Sequence, residues 1–465
     1  MTDYNVVLLT VDCFRYDRCG FNGRNESPTP FLDSLAEQSV VWDNAYSTGP
    51  MTPESVPGIL SGLYSYNSAQ IGDDVAMKSI PDGQPTLASW LSEAGYNTHA
   101  VLSNTHLTAE RNYNIGFDEF WNPTETRNES HDGNQSGEGR TSNAVGYVRR
   151  KIQDNDKLLS PYSVGYLLYR FYQSRNSWPS PGAERITDRT RSTVSRSSTP
   201  FFVWSHFMDV HAPYHPDTFR DLGTYKGLLA DCGRAAGTHT RWLDEAYDCT
   251  VAHVDRHIER IVDSLKANDQ WEDTVLIVTA DHGEAIFDRG WFGHSARHYL
   301  FNELLHVPLL VRHPDKKSKR VSDPISLAWL NELIAEAIDE QPPDFPSASG
   351  QPSLFEDTTE STVLVADGLD EQGHSVAAID TNGKYIVHSS GELRDNRSLV
   401  WHEDDTYYDL QSDPMEQAPL SGEQASDEVV TTACQYLTTD RDLPAIDNSL
   451  SNATKERLRD IGYLS

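Results

Sequence analysis

Three short segments carry side chains that could do chemistry together. Asp12 closes the apolar run Asn5–Val11, and Asp281-His282-Gly283-Glu284 closes another, Thr274–Ala280. Open α/β sheets place their ligands beyond the C-terminal ends of their strands, so both groups would meet in one crevice. Two hard carboxylates with one imidazole suit a divalent cation, and Ca²⁺, Mn²⁺ and Zn²⁺ all fit by ligand type. The third segment is Met51-Thr52-Pro53-Glu54-Ser55. Thr before Pro reads as an N-cap and first-turn pair opening a helix towards Leu60, with Gly62 just past its end. A hydroxyl there faces backbone amides and the positive end of the helix dipole, a natural anion site. Beside a metal it could be deprotonated and attack phosphorus or sulfur. Taken singly, each segment has a plainer reading, as a helix cap after a strand or an ordinary N-cap threonine.

The elements that would position these residues alternate between short apolar runs and helix-period segments, the pattern of a mostly parallel sheet flanked by helices. Expected strands are Asn5–Val11, Asn97–Ser103, Phe201–Phe207, Thr274–Ala280 and Val307–Arg312. Most are apolar nearly throughout, as strands buried on both faces must be. Val251, Val254, Ile258, Ile261, Val262 and Leu265 form one stripe of a helix between Tyr247 and Asn268. Thr29-Pro30, and Thr86 with Gly95, supply caps for two more helices. Residues 121–197 break this rhythm: polar tracts at Asn122–Thr141 and Ser192–Thr199 bracket an aromatic-rich segment, Tyr162–Tyr172. They read as an insertion, or a lid, within a catalytic domain spanning 1–340. A Pro/Ser-rich linker, Gln341–Pro352, leads to a smaller α+β subdomain over 341–465. Its expected strands are Thr362–Ala366, Ser375–Ile379 and Lys384–His388.

Composition narrows the setting. The 465 residues carry 70 Asp and Glu against 38 Lys and Arg, a formal charge of −32, spread along the chain. No basic stripe exists to displace counterions from phosphates, which excludes nucleic-acid binding by charge neutralisation. The cations comprise 10 Lys and 28 Arg. A dense carboxylate surface repels itself in dilute buffer, and salt at about 1 M shortens the screening length to about 3 Å. The expectation is a halophilic protein. The amino terminus has no basic segment followed by a long apolar one, and no stretch reaches the roughly 18 apolar residues of a membrane span. Five scattered cysteines (Cys13, Cys19, Cys232, Cys249, Cys434) show no zinc spacing and suggest reduced thiols, hence a cytoplasmic setting.

In order along the chain, VVLLTVDCFRYD, TPFLDSLAEQSVVWDNAYS, TPESVPGILSGLYS, TLASWLSEAGYNTHAVLSNTHL, GFDEF, PFFVWSHFMDVHAPY, IVTADHGEAIFDRGWFGH, HVPLLVRHP, KYIVHSS, YYDLQSDPMEQAPL and LRDIGYLS together resemble the sulfatase family, within the alkaline-phosphatase-like superfamily. The resemblance implies one divalent metal ion, Ca²⁺ or Mn²⁺ ahead of Zn²⁺, held by Asp12, Asp281, His282 and the Thr52 nucleophile. It further implies a ring of groups, Asn104, His106, His211 and His294, around the oxygens of a small anionic ester: a sulfated or phosphorylated sugar, lipid or aryl compound. His211 or His294 would protonate the leaving oxygen, since imidazole titrates near neutrality. By the same reading His206, His215, His298 and His306 are structural.

The departures from the family pattern bear on the substrate. Sulfatases convert a Cys or Ser to formylglycine within Cys/Ser-x-Pro-x-Arg. Here Thr52 stands at that position, Pro53 follows at once, and Val56 replaces the Arg. Threonine cannot become that aldehyde. Asn104 and His294 stand where lysines usually approach the sulfate, and Val11 replaces a second Asp. A threonine alkoxide attacking phosphorus gives a phosphothreonine that water can cleave, whereas a sulfothreonine lacks the elimination route of a formylglycine hydrate. Each lost cation that acts on the transition state removes about 2.7–4 kcal/mol. The leading expectation is therefore a metal-dependent hydrolase of sulfate or phosphate esters. A phosphoryl-headgroup transferase, a phosphodiesterase or phosphonate-hydrolase-like enzyme, and a non-catalytic anion- or glycan-binding member stand as alternatives.

Overall fold

A computed structural model describes residues 4–71, 74–126, 182–219, 222–235, 237, 239–294, 299–346, 352–354, 362–370, 373–390, 400–401, 405–437 and 445–446. Its centre is a nine-stranded mixed sheet. We number the strands β1 (Asn5–Val11), β2 (Val40–Tyr46), β3 (Asn97–Val101), β4 (Glu119–Trp121), β5 (Phe201–Phe207), β6 (Thr274–Ala280), β7 (His306–Arg312), β8 (Lys319–Val321) and β9 (Ile325–Ser326). Their order is β8-β2-β7-β6-β1-β5-β3-β4, with β9 also on β2. Pairings among β6, β1, β5, β3 and β4 are all parallel, and β7 runs antiparallel to both of its neighbours. All seven residues of β1, β5 and β6 are buried, which is why these segments read as continuous apolar runs.

Helices flank the sheet. α1 (Pro30–Ala36), α4 (Ala183–Arg196) and α5 (Leu243–Ala267) pack in one group; α2 (Thr52–Ser61), α3 (Leu87–Glu93) and α6 (Leu330–Ile338) pack in another. α5 starts four residues before the expected Tyr247, because Leu243, Ala246 and Tyr247 extend its buried stripe. α3 carries the expected cap as a capping box between Thr86 and Ser89. α1 departs from expectation: the Thr29 hydroxyl makes no cap bond, and Asp255 of α5 instead accepts from the Phe31 and Leu32 amides at 3.0 and 2.9 Å.

The expected insertion over 121–197 shrinks at both ends. β4 reaches Trp121 in the main sheet, and the Ser-rich tract beyond Ser192 is largely the last turn of α4, a core helix. The remaining 127–181, with Tyr162–Tyr172, lie outside the described residues, as does the tail LRDIGYLS. Among the described residues no helix is long and apolar enough to cross a membrane, and none of the five cysteines is joined in a disulfide.

A second, six-stranded sheet follows, entirely antiparallel in its pairings. It is built on β10 (Leu364–Asp370), β11 (Gly373–Ile379) and β12 (Gly383–Ser390), with α7 (Asp427–Tyr436) packed on it. It is fastened to the main sheet by buried polar contacts. Asp367 accepts from the Ser65 and Tyr66 amides at 2.8 and 3.1 Å, and its own amide donates to Thr48 O at 2.8 Å. Lys384 Nζ meets Glu416 Oε1 at 2.7 Å with both side chains fully buried, and also donates to Asn302 Oδ1 at 2.7 Å. Removing one partner of such a pair strands the other charge. Lys384→Met should therefore destabilise the fold by about 3–5 kcal/mol in denaturant unfolding. Adding Glu416→Gln should recover part of that loss.

Candidate active site

The site gathers where the parallel strands end. Val11 and Ala280 are register neighbours, so the next residues, Asp12 and Asp281, emerge side by side. Asp12 N donates to Phe207 O at 2.9 Å, tying the end of β1 to the end of β5. Cys13 then takes a left-handed turn (φ 62°), which the Tyr247 hydroxyl braces by donating to Cys13 O at 2.6 Å. Arg15 crosses to the other loop, donating to Glu284 O at 3.0 Å and to Asp288 at 2.9 Å. Gly283 is demanded by close packing, since a Cβ there would lie 2.1 Å from Glu303 O.

Thr52 comes from the opposite direction, on α2, all ten residues of which are buried. The helix starts one residue earlier than expected. Met51, extended at φ −145° and ψ 158°, is the N-cap, and Thr52 is the first helical residue. Its hydroxyl is thereby released from capping. It donates to Asp281 Oδ2 at 2.9 Å and lies 3.3 Å from both Asp12 Oδ2 and His282 Nε2. The backbone contributes less to anion binding than the sequence suggested. Pro53 has no N–H, and the Glu54 and Ser55 amides are both bonded to Met51 O. Gly62, in the left-handed conformation, ends the helix as expected.

Asp12, Asp281 and His282 are fully buried, and His282 Nε2 stands 3.6 Å from each carboxylate. The other His282 nitrogen faces Gly283 O at 2.7 Å. A carbonyl only accepts, so Nδ1 carries the proton and Nε2 keeps its lone pair, the arrangement of a metal-ligating imidazole. Burial would raise the Asp12 carboxyl, yet the His206 contact and the nearby His211 and His282 hold it well below its usual range. Burial and the Asp12 charge push Asp281 up. Among the described residues no Lys or Arg nitrogen pairs with either carboxylate. Two buried carboxylates, one lone-pair nitrogen and a hydroxyl converging on a common point fit a divalent cation in chemistry and spacing. Asp12, Asp281, His282 and Thr52 would hold it.

The expected oxygen-binding ring is only partly presented as such. His211 and His294 face each other, ring centres 5.0 Å apart, and His294 lies 4.6 Å from the His282 ring. His294 Nδ1 meets Glu284 Oε1 at 2.7 Å. Burial would lower the His294 imidazole, but the Glu284 carboxylate overrides it and the net shift is upward. Burial moves His211 the other way, below its usual value. His106 receives an Arg111 guanidinium N–H on Nδ1 at 2.8 Å. Asn104 faces inward to the carboxylates: Nδ2 donates to Asp12 Oδ2 at 3.0 Å, and Oδ1 accepts from the His106 amide at 2.7 Å.

Four neighbours escaped sequence reasoning. His206, set aside as structural, lies 3.5 Å from Asp12 Oδ2 and is fully buried. Cys13 Sγ donates to Asp12 Oδ1 at 3.0 Å, and burial keeps its thiol well above its ordinary pKa. Glu284 and Arg111 act through His294 and His106. Glu284 sits within the motif already singled out and could have been found there; the other three carry no local signal. Of the remaining histidines read as structural, His306 of β7 donates to Asp43 O of β2 at 2.8 Å, His215 bonds its own loop, and His298 lies outside the described residues.

The sulfatase family model matches residues 4–339. An arylsulfatase of Clostridium perfringens (strain 13 / Type A) is 24% identical, covering 89% of each chain. An N-acetylglucosamine-6-O-sulfatase of Bacteroides thetaiotaomicron is 22% identical over 75% of this chain and 70% of its own. The crystal structure of the phosphonate monoester hydrolase of Agrobacterium radiobacter shares the fold with a TM-score of 0.60 and 17% identity, covering 93% of this chain and 94% of that one. With its family match spanning the main sheet and every residue of the carboxylate–imidazole–threonine cluster, the chain belongs to the sulfatase family of ester hydrolases.

Proposed function

We propose that the protein hydrolyses a phosphate or sulfate ester of a sugar through the Thr52 hydroxyl, with phosphorus favoured as the atom attacked. The observation that carries this reading is the Thr52 hydroxyl 2.9 Å from Asp281 Oδ2 and within 3.3 Å of Asp12 and His282. A divalent cation held there, Mn²⁺ or Ca²⁺ by its ligands, would supply Lewis-acid stabilisation of the threonine oxygen and of the ester. Asp281 Oδ2 is placed to take the Thr52 proton. The alkoxide then bonds to phosphorus as the ester oxygen departs, and His294, kept charged by Glu284, gives that oxygen its proton. Water attacks the phosphothreonine at phosphorus and frees Thr52. His106 and His211 supply neutral hydrogen bonds to the non-bridging oxygens. A sugar ester is favoured by the Bacteroides relative named above. The charge of −32 supports work in strong salt and a cytoplasmic setting, where the carboxylate surface is screened.

The test is hydrolysis of p-nitrophenyl phosphate, bis-p-nitrophenyl phosphate and p-nitrophenyl sulfate in high salt with Mn²⁺ or Ca²⁺. Phosphate ester turnover should fall by about 10³-fold or more in Thr52→Ala and persist in Thr52→Ser. Sulfate turnover that survives Thr52→Ala would overturn the assignment of the nucleophile. The Glu284 carboxylate holds the proton on His294, so activity that needs this imidazolium is lost as pH rises through its elevated pKa. Glu284→Gln removes that support and should move the basic limb of the pH–rate profile to lower pH. A limb that stays in place would remove His294 from the acid role.

A further inference from the structure

His206 sits where a further metal-ligand side chain would fit, since Asp12, His206 and Asp281 offer ligand atoms within 4.8 Å of one another. The hydrogens around it argue for a different role. Thr10 and His206 are register partners on β1 and β5, and Trp204 precedes His206 by two residues on the same strand. Trp204 Nε1, which can only donate, gives its hydrogen to Thr10 Oγ1 at 3.0 Å. The Thr10 hydroxyl hydrogen then has one acceptor within reach among the described residues, His206 Nδ1 at 2.8 Å. An Nδ1 that accepts leaves the ring proton on Nε2, the nitrogen 3.5 Å from Asp12 Oδ2.

The opposite tautomer would need Asn104 to donate to His206 Nε2, which lies 3.4 Å from Nδ2. Both Nδ2 hydrogens are already matched by nearer acceptors, Asp12 Oδ2 and Met208 Sδ, each at 3.0 Å. The amide cannot be flipped to help, because its oxygen accepts from the His106 N–H. That tautomer would also strand the Thr10 hydroxyl hydrogen in a fully buried place.

We infer that Trp204, Thr10 and His206 form a one-directional hydrogen-bond chain through the sheet, which presents an Nε2–H to Asp12 and makes His206 a positioning residue for that carboxylate, not a metal ligand. The inference rests on the proposed cation at Asp12, Asp281 and His282. His206 and His282 flank the carboxylates in opposite tautomers. One shows a hydrogen, the other a lone pair, so a cation finds a single imidazole ligand and an Asp12 already oriented.

The chain is tested on the whole protein by ¹⁵N NMR of labelled histidine without metal, and by calorimetric titration with Mn²⁺. The His206 signals, assigned by their loss in His206→Gln, should show the proton on Nε2, and those of His282 on Nδ1. Thr10→Val, equal in shape but without the hydroxyl, should weaken Mn²⁺ binding by about 10–100-fold, and Thr10→Ser should restore it. A proton on His206 Nδ1 in the wild-type spectrum overturns the inference. So does unchanged Mn²⁺ affinity in a folded Thr10→Val. Wild-type protein that binds neither Mn²⁺ nor Ca²⁺ overturns the underlying cation assignment, while the tautomer measurement still decides the chain itself.

Discussion

Two carboxylates forced together in a fully buried place set the terms for the rest of this molecule. Asp12 and Asp281 are successors of register-paired residues on neighbouring parallel strands, so neither can move away without tearing the sheet. Like charges at such a place cannot both ionise unaided. The surroundings supply the aid: the Asn104 amide, the Cys13 thiol and the Thr52 hydroxyl donate to one or other carboxylate, and the cluster closes around a cation-sized focus. Much of the scaffold serves that focus. Tyr247 of the long α5 braces Cys13, and Arg15 clamps the Glu284 loop. Thr52 arrives on a helix with no exposed residue.

The same arrangement determines how an anion would be held. A helix N-terminus ordinarily offers several amides, but Pro53 and the two bonds to Met51 O consume most of them here. Under the proposed function recognition would pass to imidazoles, and His106 and His294 each have a partner that fixes the proton. Arg111 keeps a hydrogen pointed at His106 Nδ1, leaving that ring neutral with N–H on the other nitrogen. Glu284 does the reverse for His294, favouring the charged ring. Under the proposed reading His106 would offer a neutral donor and His294 a cationic one.

Much of this was legible in the sequence because burial on both faces writes itself as uninterrupted apolar runs, and a strand-end Asp or Asp-His interrupts them visibly. The central strands and the placing of Asp12, Asp281 and His282 followed from that contrast, whereas Thr52 was singled out by its place before Pro53 and by the family resemblance. α4 did not, because three of its six buried residues are threonines, Thr187, Thr190 and Thr193, so its inward stripe looks polar. His206 was illegible for another reason: it lies inside a strand, and its meaning comes from Thr10 on the neighbouring strand, 196 positions away. The one-residue shift at Thr52 reflects a backbone choice at Met51 that side-chain type does not announce. Arg111 matters through His106, and pairings of this kind emerge only after folding.

The contacts of Arg289 carry a consequence for how such an enzyme can change. This residue lies on the hairpin between Glu284 and His294, and its guanidinium reaches Glu303 at 2.7 Å and the Glu416 carbonyl, in a loop of the second sheet, at 2.9 Å. The segment bearing His294 is thus pinned from outside the main sheet by a distant stretch of the chain. In the family's diversification, loops that shape the pocket cannot be exchanged between lineages one at a time here. A graft of the 285–293 hairpin would have to bring its docking partner around residue 416 with it, so inheritance of substrate preference in this branch should run in linked blocks.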